Sequence, residues 1–184
     1  IEQDAARMIT TNDRHGAVEV AKYLESLGHR HIGLVTGPKR YLSTRERGAG
    51  FLETLASRNR AMPDAYIAEG GYTFESGVAC AERLLALNPR PTAIFALNDE
   101  MAAGVYKAAY KLGLSVPEDL SVVGFDDSPI ASRLWPSLTT VRLPIRDMGL
   151  QAAAMLLAEP SHPRNAPLIT PHLVIRESCQ PPKA

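Results

Sequence analysis

Arg47, Asn98, Asp126 and Tyr72 are side chains whose types and placement suit recognition of a polar small molecule. Each falls just beyond a segment that reads as a β-strand. Arginine presents a planar fork of donors, aspartate pairs with neighbouring hydroxyls, and asparagine both donates and accepts. A tyrosine ring covers a ligand's apolar face. Such a set fits a polyhydroxylated or planar polar ligand. Tyr41 and Ser43 belong to the same rim, in a stretch that also holds Lys39, Arg40 and Arg45. Each residue has a plainer reading beside this one. Asn98, Asp99 and Asp126 also suit helix caps or turns, Arg47 a solvated helix charge, and Tyr72 ordinary packing.

Signatures of catalysis are missing. No GxSxG elbow, Walker A loop, HExxH pair or complete GxGxxG occurs. "GAGFLE", from Gly48 to Glu53, lacks the third glycine and lies within a helical pattern. His29 and His31 place two imidazoles on one side of an extended stretch, but a metal site needs a third ligand. Asp126 and Asp127 could form an acid–base pair, yet no nucleophile or partner histidine accompanies them. No catalytic residue, metal or cofactor is therefore expected.

The elements that position these residues alternate between strand and helix. A short β-like stretch over Arg7–Thr11 precedes the capping pair Asn12-Asp13. A helix follows, with Ala17, Val20, Ala21, Leu24 and Leu27 at helical spacing and Gly28 as its stop. His31–Thr36 reads as a buried strand. Ser43 or Thr44 is expected to cap a second helix carrying Phe51, Leu52 and Leu55. Ala65–Ala68 is a short strand candidate, and Thr73 caps a third helix. Thr92–Leu97, "TAIFAL", has the near-continuous apolar character of a strand buried on both faces. A fourth helix runs from Asn98-Asp99 to Gly113. Leu120–Phe125 and Thr139–Leu143 are further strands, Ile145–Ala158 a last helix, and Leu168–Ile175 a terminal strand. This order predicts an α/β fold, an open parallel sheet with helices on both faces. Such sheets bind ligands beyond the carboxyl ends of their strands.

The chain has 184 residues, 45% apolar and 22% charged, enough for one domain or two small lobes. Lysine plus arginine number 20 against 20 acidic residues. That neutrality argues against a free-standing nucleic-acid binder and against a membrane-surface protein. Cys80 and Cys179 show no disulfide or zinc spacing. The longest small-apolar run, Ala152–Ala158, is far short of a membrane span. The chain starts with Ile1, so it is expected to be a piece of a longer protein.

Several segments together resemble one family. "NDRHGAVEVAKYLESLGHRHIGLVTGP", "STRERGAGF", "PTAIFALNDEMAAGVYKAAYKLGLSVPEDLSVVGFDD", "PSLTTVRLPIRDMG" and "HLVIRES" occur in the order and spacing of LacI/GalR-type bacterial transcriptional repressors. The resemblance covers nearly the whole chain, and the block Pro91–Asp127 is its most specific part. It implies the effector-binding core, a periplasmic-binding-protein-like type I fold of two lobes joined by three crossovers. Residues 12–142 plus 171–184 would form mainly the C-terminal lobe. Residues 1–11 and 143–170 would be remnants of the N-terminal lobe, and the DNA-binding headpiece would be absent. The last helix would then lack its native neighbours and cover its apolar face on another chain or against this lobe.

By the same resemblance, Arg47 grips effector hydroxyls or carboxylate. Asn98 and Asp126 line the pocket, and Tyr72 packs on the effector ring. Tyr41 and Ser43 touch ligand in some members, while Leu143 and Ile145 lie at a crossover beside the cleft. Ala103 and Leu134 match dimer-interface positions. The implied function is cytoplasmic allosteric repression by a homodimer. A sugar or related metabolite is the effector, and operator DNA is met only through the headpiece. Two other readings stand beside it: a periplasmic sugar-binding protein of a transporter, and a Rossmann-like enzyme.

Overall fold

The computed structural model describes residues 9–157 and 168–183. In chain order the elements are β1 (Thr10–Thr11), α1 (Asp13–Ser26), β2 (Ile32–Thr36), α2 (Leu42–Ser57), β3 (Ile67–Glu69), α3 (Phe74–Leu85) and β4 (Ala93–Ala96). Then follow α4 (Asp99–Lys111), β5 (Ser121–Asp126), β6 (Thr139–Arg142), α5 (Ile145–Leu157), β7 (Leu168–Ile169) and β8 (His172–Val174). Six described strands form one sheet in the order β3-β2-β4-β5-β6-β8. Its first five strands run parallel, with Leu34 opposite Phe95, Ile94 opposite Val122 and Gly124 opposite Thr140. β8 closes the edge antiparallel, with Val141 opposite Leu173. β1 and β7 pair with each other in a separate two-stranded ladder.

The strand sequences explain the layering. β4 is buried at every position, and β2 and β5 at all but their last. Only a sheet covered on both faces gives alternate residues the same burial. Phe95 meets Phe51 of α2, ring centroids 5.0 Å apart, while Phe125 and Val141 lie against Gly16 of α1. The opposite face carries Ile94 near Leu84 of α3, and Gly124 against Ala102 of α4. Helices α1 and α2 thus cover one face, and α3 and α4 the other. The expected mainly parallel, doubly covered sheet is what forms.

Caps agree with the sequence at three helices. Asn12 accepts from His15 N at 3.1 Å and Asn98 from Met101 N at 2.9 Å. Thr73 and Ser76 make a reciprocal capping box. Gly28 and Gly113 stop α1 and α4 with φ of 93° and 69°. At α2 the expectation fails. The helix starts at Leu42 behind Tyr41, with no side-chain cap, and Ser43 and Thr44 lie inside its first turn. The Thr44 hydroxyl is instead paired with that of Tyr72 at 2.7 Å.

Two other elements differ from expectation. Pro63 opens a single 3-10 turn over Asp64–Tyr66, so β3 begins at Ile67 instead of Ala65. The terminal strand splits, because Pro171 has no N–H to continue a ladder. β7 pairs with β1, while β8 pairs with β6. Residues 7–8 of the first strand candidate and Ala158 of the last helix lie outside the described residues. Helix α5 forms as expected but buries no residue, with Leu156 and Leu157 86% and 88% exposed. It does not cover its apolar face against this lobe.

The α3–α4 contact brings backbone against backbone. A Cβ on Gly77 would stand 2.3 Å from Met101 O, and one on Gly104 2.3 Å from Phe74 O. Both obstacles are backbone, so neither can swing away. Gly77→Ala should lower stability by about 1–3 kcal/mol in urea unfolding. Gly48→Ala, whose new methyl meets nothing within 4 Å, should hold or raise the midpoint.

Candidate functional site

The parallel strands end along one edge of the sheet, and the loops beyond them carry the candidate residues. Arg47 comes from the second turn of α2. Its side chain is 8% exposed, so its charge needs partners within the protein. Nε donates to Asp13 Oδ2 at 2.8 Å, and Nη1 donates to Leu97 O at 2.6 Å and to Asp126 Oδ1 at 3.1 Å. The guanidinium lies over the Phe125 ring, 3.8 Å from its centroid. This is no solvated helix charge. The arginine gathers α1, β4 and β5 around one cation.

The sequence marks Asp13 only as a capping residue. It is the first residue of α1, where its charge suits the helix amino terminus, and Thr11 Oγ1 donates to its second oxygen. No local pattern links positions 13 and 47. The signal that remains is a buried-helix arginine demanding an acid.

Asp126 ends β5 with φ 113°, and Asp127 follows at φ 53°, both in the left-handed half of backbone space. Burial pushes the Asp126 carboxyl up to about 6, against the downward pull of the Arg47 charge. Asp127 behaves differently. Burial would raise it, but hydrogen bonds from Arg176 and Arg142 hold its carboxyl below the usual value. Arg176 Nη2 reaches Asp127 Oδ1 at 2.6 Å, and Arg142 Nε donates to Oδ2. The two neighbouring acids are thus held by separate partners, Asp126 by Arg47 and Asp127 by Arg142 and Arg176. Asp99 is also bound up, accepting from Thr140 Oγ1 at 2.6 Å and from Ser128 N at 2.7 Å.

Asn98 takes its plainer role as the cap of α4 and adds a second one. Its Nδ2 donates to Tyr72 O at 3.2 Å. Tyr72 itself has φ 64°, and its hydroxyl meets that of Thr44. Its ring lies against Gly37, where a Cβ would come within 2.2 Å. Tyr41, 44% exposed, tilts beside it at 5.9 Å between centroids. Arg40 stands 4.7 Å over the Tyr41 ring. The rim thus carries a charged centre, Arg47 with Asp126, and an aromatic pair, with Asn98 tied to the backbone of Tyr72. Ser43 sits half-buried in the first turn of α2.

Leu143 comes one residue after Arg142, which lies opposite Asp126 at the same edge of the sheet. Leu143 packs partly buried on the core, whereas Ile145 is 61% exposed at the start of α5. Ala103 is 3% exposed within α4 and Leu134 is half-buried, beside a Trp135 that is 88% exposed. His29 is buried with Nδ1 2.9 Å from Thr92 Oγ1, and His31 stacks on Tyr66. Among the described residues no group of three His, Cys, Asp or Glu side chains is placed to hold a metal. Both cysteines are free. No described helix is long and apolar enough to cross a membrane.

Asp126 gives the site a measurable signature. A raised carboxyl favours the neutral form in the folded state. Its contribution to stability is therefore full below the ordinary value of 3.8 and is lost as pH rises through about 6. Carboxyl 13C NMR should show Asp126 titrating near 6. In Arg47→Met the midpoint should move higher still, because the cation that favours the carboxylate is gone.

A family model described as a periplasmic binding protein-like domain matches residues 21–179. A probable HTH-type transcriptional repressor, ExuR, of Bacillus subtilis (strain 168) is 35% identical over 94% of this chain and 53% of its own length. A sugar-binding transcriptional regulator of the LacI family from Escherichia coli, complexed with phosphate, superposes with a TM-score of 0.88. It is 29% identical, over 99% of this chain and 66% of that one. A LacI family transcriptional regulator from Enterococcus faecium with bound ribose gives a TM-score of 0.86 at 28% identity, over 100% of this chain and 69% of that one. The chain spans about half the length of the curated relatives it matches.

Proposed function

Because the chain belongs to the periplasmic binding protein-like domain family, and its relatives are LacI-family transcriptional regulators, we propose that it is the effector-sensing part of a bacterial repressor. The observation that carries this reading is the buried Arg47, held by Asp13 and Asp126 at the carboxyl edge of the sheet. A family whose members sense small polar molecules needs a fixed fork of donors there. Arg47 and Asp126 would take neighbouring hydroxyls of a sugar or related metabolite. Tyr72 would cover its apolar face, and Asn98 would hold Tyr72 in place while offering its remaining amide hydrogen. Tyr41 and Ser43 would add contacts from the loop before α2 and its first turn.

Residues 12–142 with 171–184 would form one lobe, and residues 1–11 with 143–170 parts of another. The separate β1–β7 ladder and the uncovered α5 support that division. Leu143 and Ile145 would lie where the chain crosses between lobes. A ligand gripped by both lobes has different affinities for their open and closed arrangements, and that difference shifts the equilibrium. Movement would then change the spacing of paired DNA-reading headpieces. The reading makes the protein cytoplasmic, dimeric and not an enzyme. At the dimer contact Leu134, beside the exposed Trp135, offers more surface than the enclosed Ala103.

Two measurements test the proposal. Calorimetry of this chain against a sugar panel should give weak or no binding, since half the cleft wall would be missing. Micromolar affinity for any one sugar overturns that part. In the product of the whole reading frame, one effector should release promoter DNA, and Arg47→Ala should keep DNA binding while losing release. Release that persists in the variant removes the role given to Arg47. A secretion signal upstream, in place of a helix-turn-helix, replaces the repressor with a transporter's binding protein.

A further inference from the structure

The other edge of the sheet, where β3, β2 and β4 begin, holds a cavity of about 400 Å³. It lies at the end of the strands opposite to Arg47 and Asp126. Its apolar floor includes Leu55, 3% exposed, with Met62 packed partly buried beside it. Flat surface comes from His31 and Tyr66, whose rings stack at 6.2 Å with 25° between planes. The Tyr66 hydroxyl donates to Pro89 O at 2.5 Å, which fixes its ring at the cavity wall.

Charge is one-sided here. Arg30 and Arg60 line the cavity and no carboxylate does. Among the described residues Arg60 pairs with one acid, Glu25, which it shares with Arg58. Glu25 Oε2 is 3.0 Å from Arg58, while the contact of Oε1 with Arg60 is 3.9 Å. Arg30 makes no ion pair among the described residues. Arg60 spends one long hydrogen bond, 3.4 Å, on His29 O. Two guanidinium groups thus face a half-apolar cavity with little of their charge compensated.

Small-molecule sites run from about 300 to 1,000 Å³, so this one suits a body of one or two rings. We propose that the cavity at the amino edge of the sheet binds a small aromatic anion. Its flat ring rests on the His31–Tyr66 and Leu55–Met62 surfaces, and its carboxylate or phosphate head is held by Arg30 and Arg60. Guanidinium groups bind both kinds of head by paired hydrogen bonds. The site is independent of the rim built around Arg47.

The test titrates the chain with 2-naphthoate, 2-naphthyl phosphate, neutral 2-naphthalenemethanol and inorganic phosphate, followed by NMR and calorimetry. At least one aromatic anion should bind saturably, with shifts centred on His31, Met62 and Tyr66. The neutral alcohol and inorganic phosphate should bind at least about tenfold more weakly, since each lacks one half of the recognition. Arg30→Ala removes a charge that makes no ion pair, so the fold should stand while affinity falls about tenfold. Arg60→Ala, checked by its unfolding midpoint, should lower it further. Binding by one head alone or by both supports the proposal, and tells carboxylate from phosphate. Failure of both anions to saturate at millimolar concentration overturns it. So does equal binding of the alcohol, or shifts centred on Tyr72 and Asp126.

Discussion

A single buried cation organises the carboxyl edge of this protein. Arg47 carries a full charge into a region where its side chain is 8% exposed, and Asp13, equally enclosed, answers it. Removing one member of such a pair leaves a buried charge alone, a cost of about 3–5 kcal/mol. The guanidinium also takes the carbonyl that ends the β4 segment and one oxygen of Asp126, and it covers Phe125. Four segments that are distant in sequence are therefore fixed relative to one point. Burial at that point raises the proton affinity of the Asp126 carboxyl, against the pull of the cation.

The framework around that point was readable because it rests on local rules. Apolar runs such as "AIFA" dictate strands covered on both faces, and Thr73, Asn98 and Gly113 punctuate helices by short-range chemistry. The rim residues were readable because a parallel sheet delivers every loop after a strand to one edge. What escaped depended on distance or competition. Asp13 met Arg47 across 34 positions with no pattern to announce it. Thr44 had a better partner in the Tyr72 hydroxyl than the backbone of its own helix. The tail reads as one apolar strand until Pro171 divides it between two ladders.

The two edges of the sheet carry opposite electrostatic designs. At the carboxyl edge, arginine is neutralised by buried acids, and Asp127 is clamped by Arg142 and Arg176. Each of these side chains is held in one orientation by partners within the fold. At the amino edge, Arg30 and Arg60 keep most of their charge beside an apolar floor. The overall neutrality of the chain, 20 basic against 20 acidic residues, conceals this separation.

The strands that bound the main sheet, β3 and β8, are three residues long. An outer strand is where a second chain can add itself by backbone pairing, as in runaway β-aggregation. Here each border offers only a few free amide and carbonyl groups, and Glu69 closes one of them with a charge. Among the described residues, the borders of the main sheet therefore offer another copy little main-chain template. Apolar surface on the described part of the chain is carried instead by exposed side chains such as Trp135, Leu156 and Leu157.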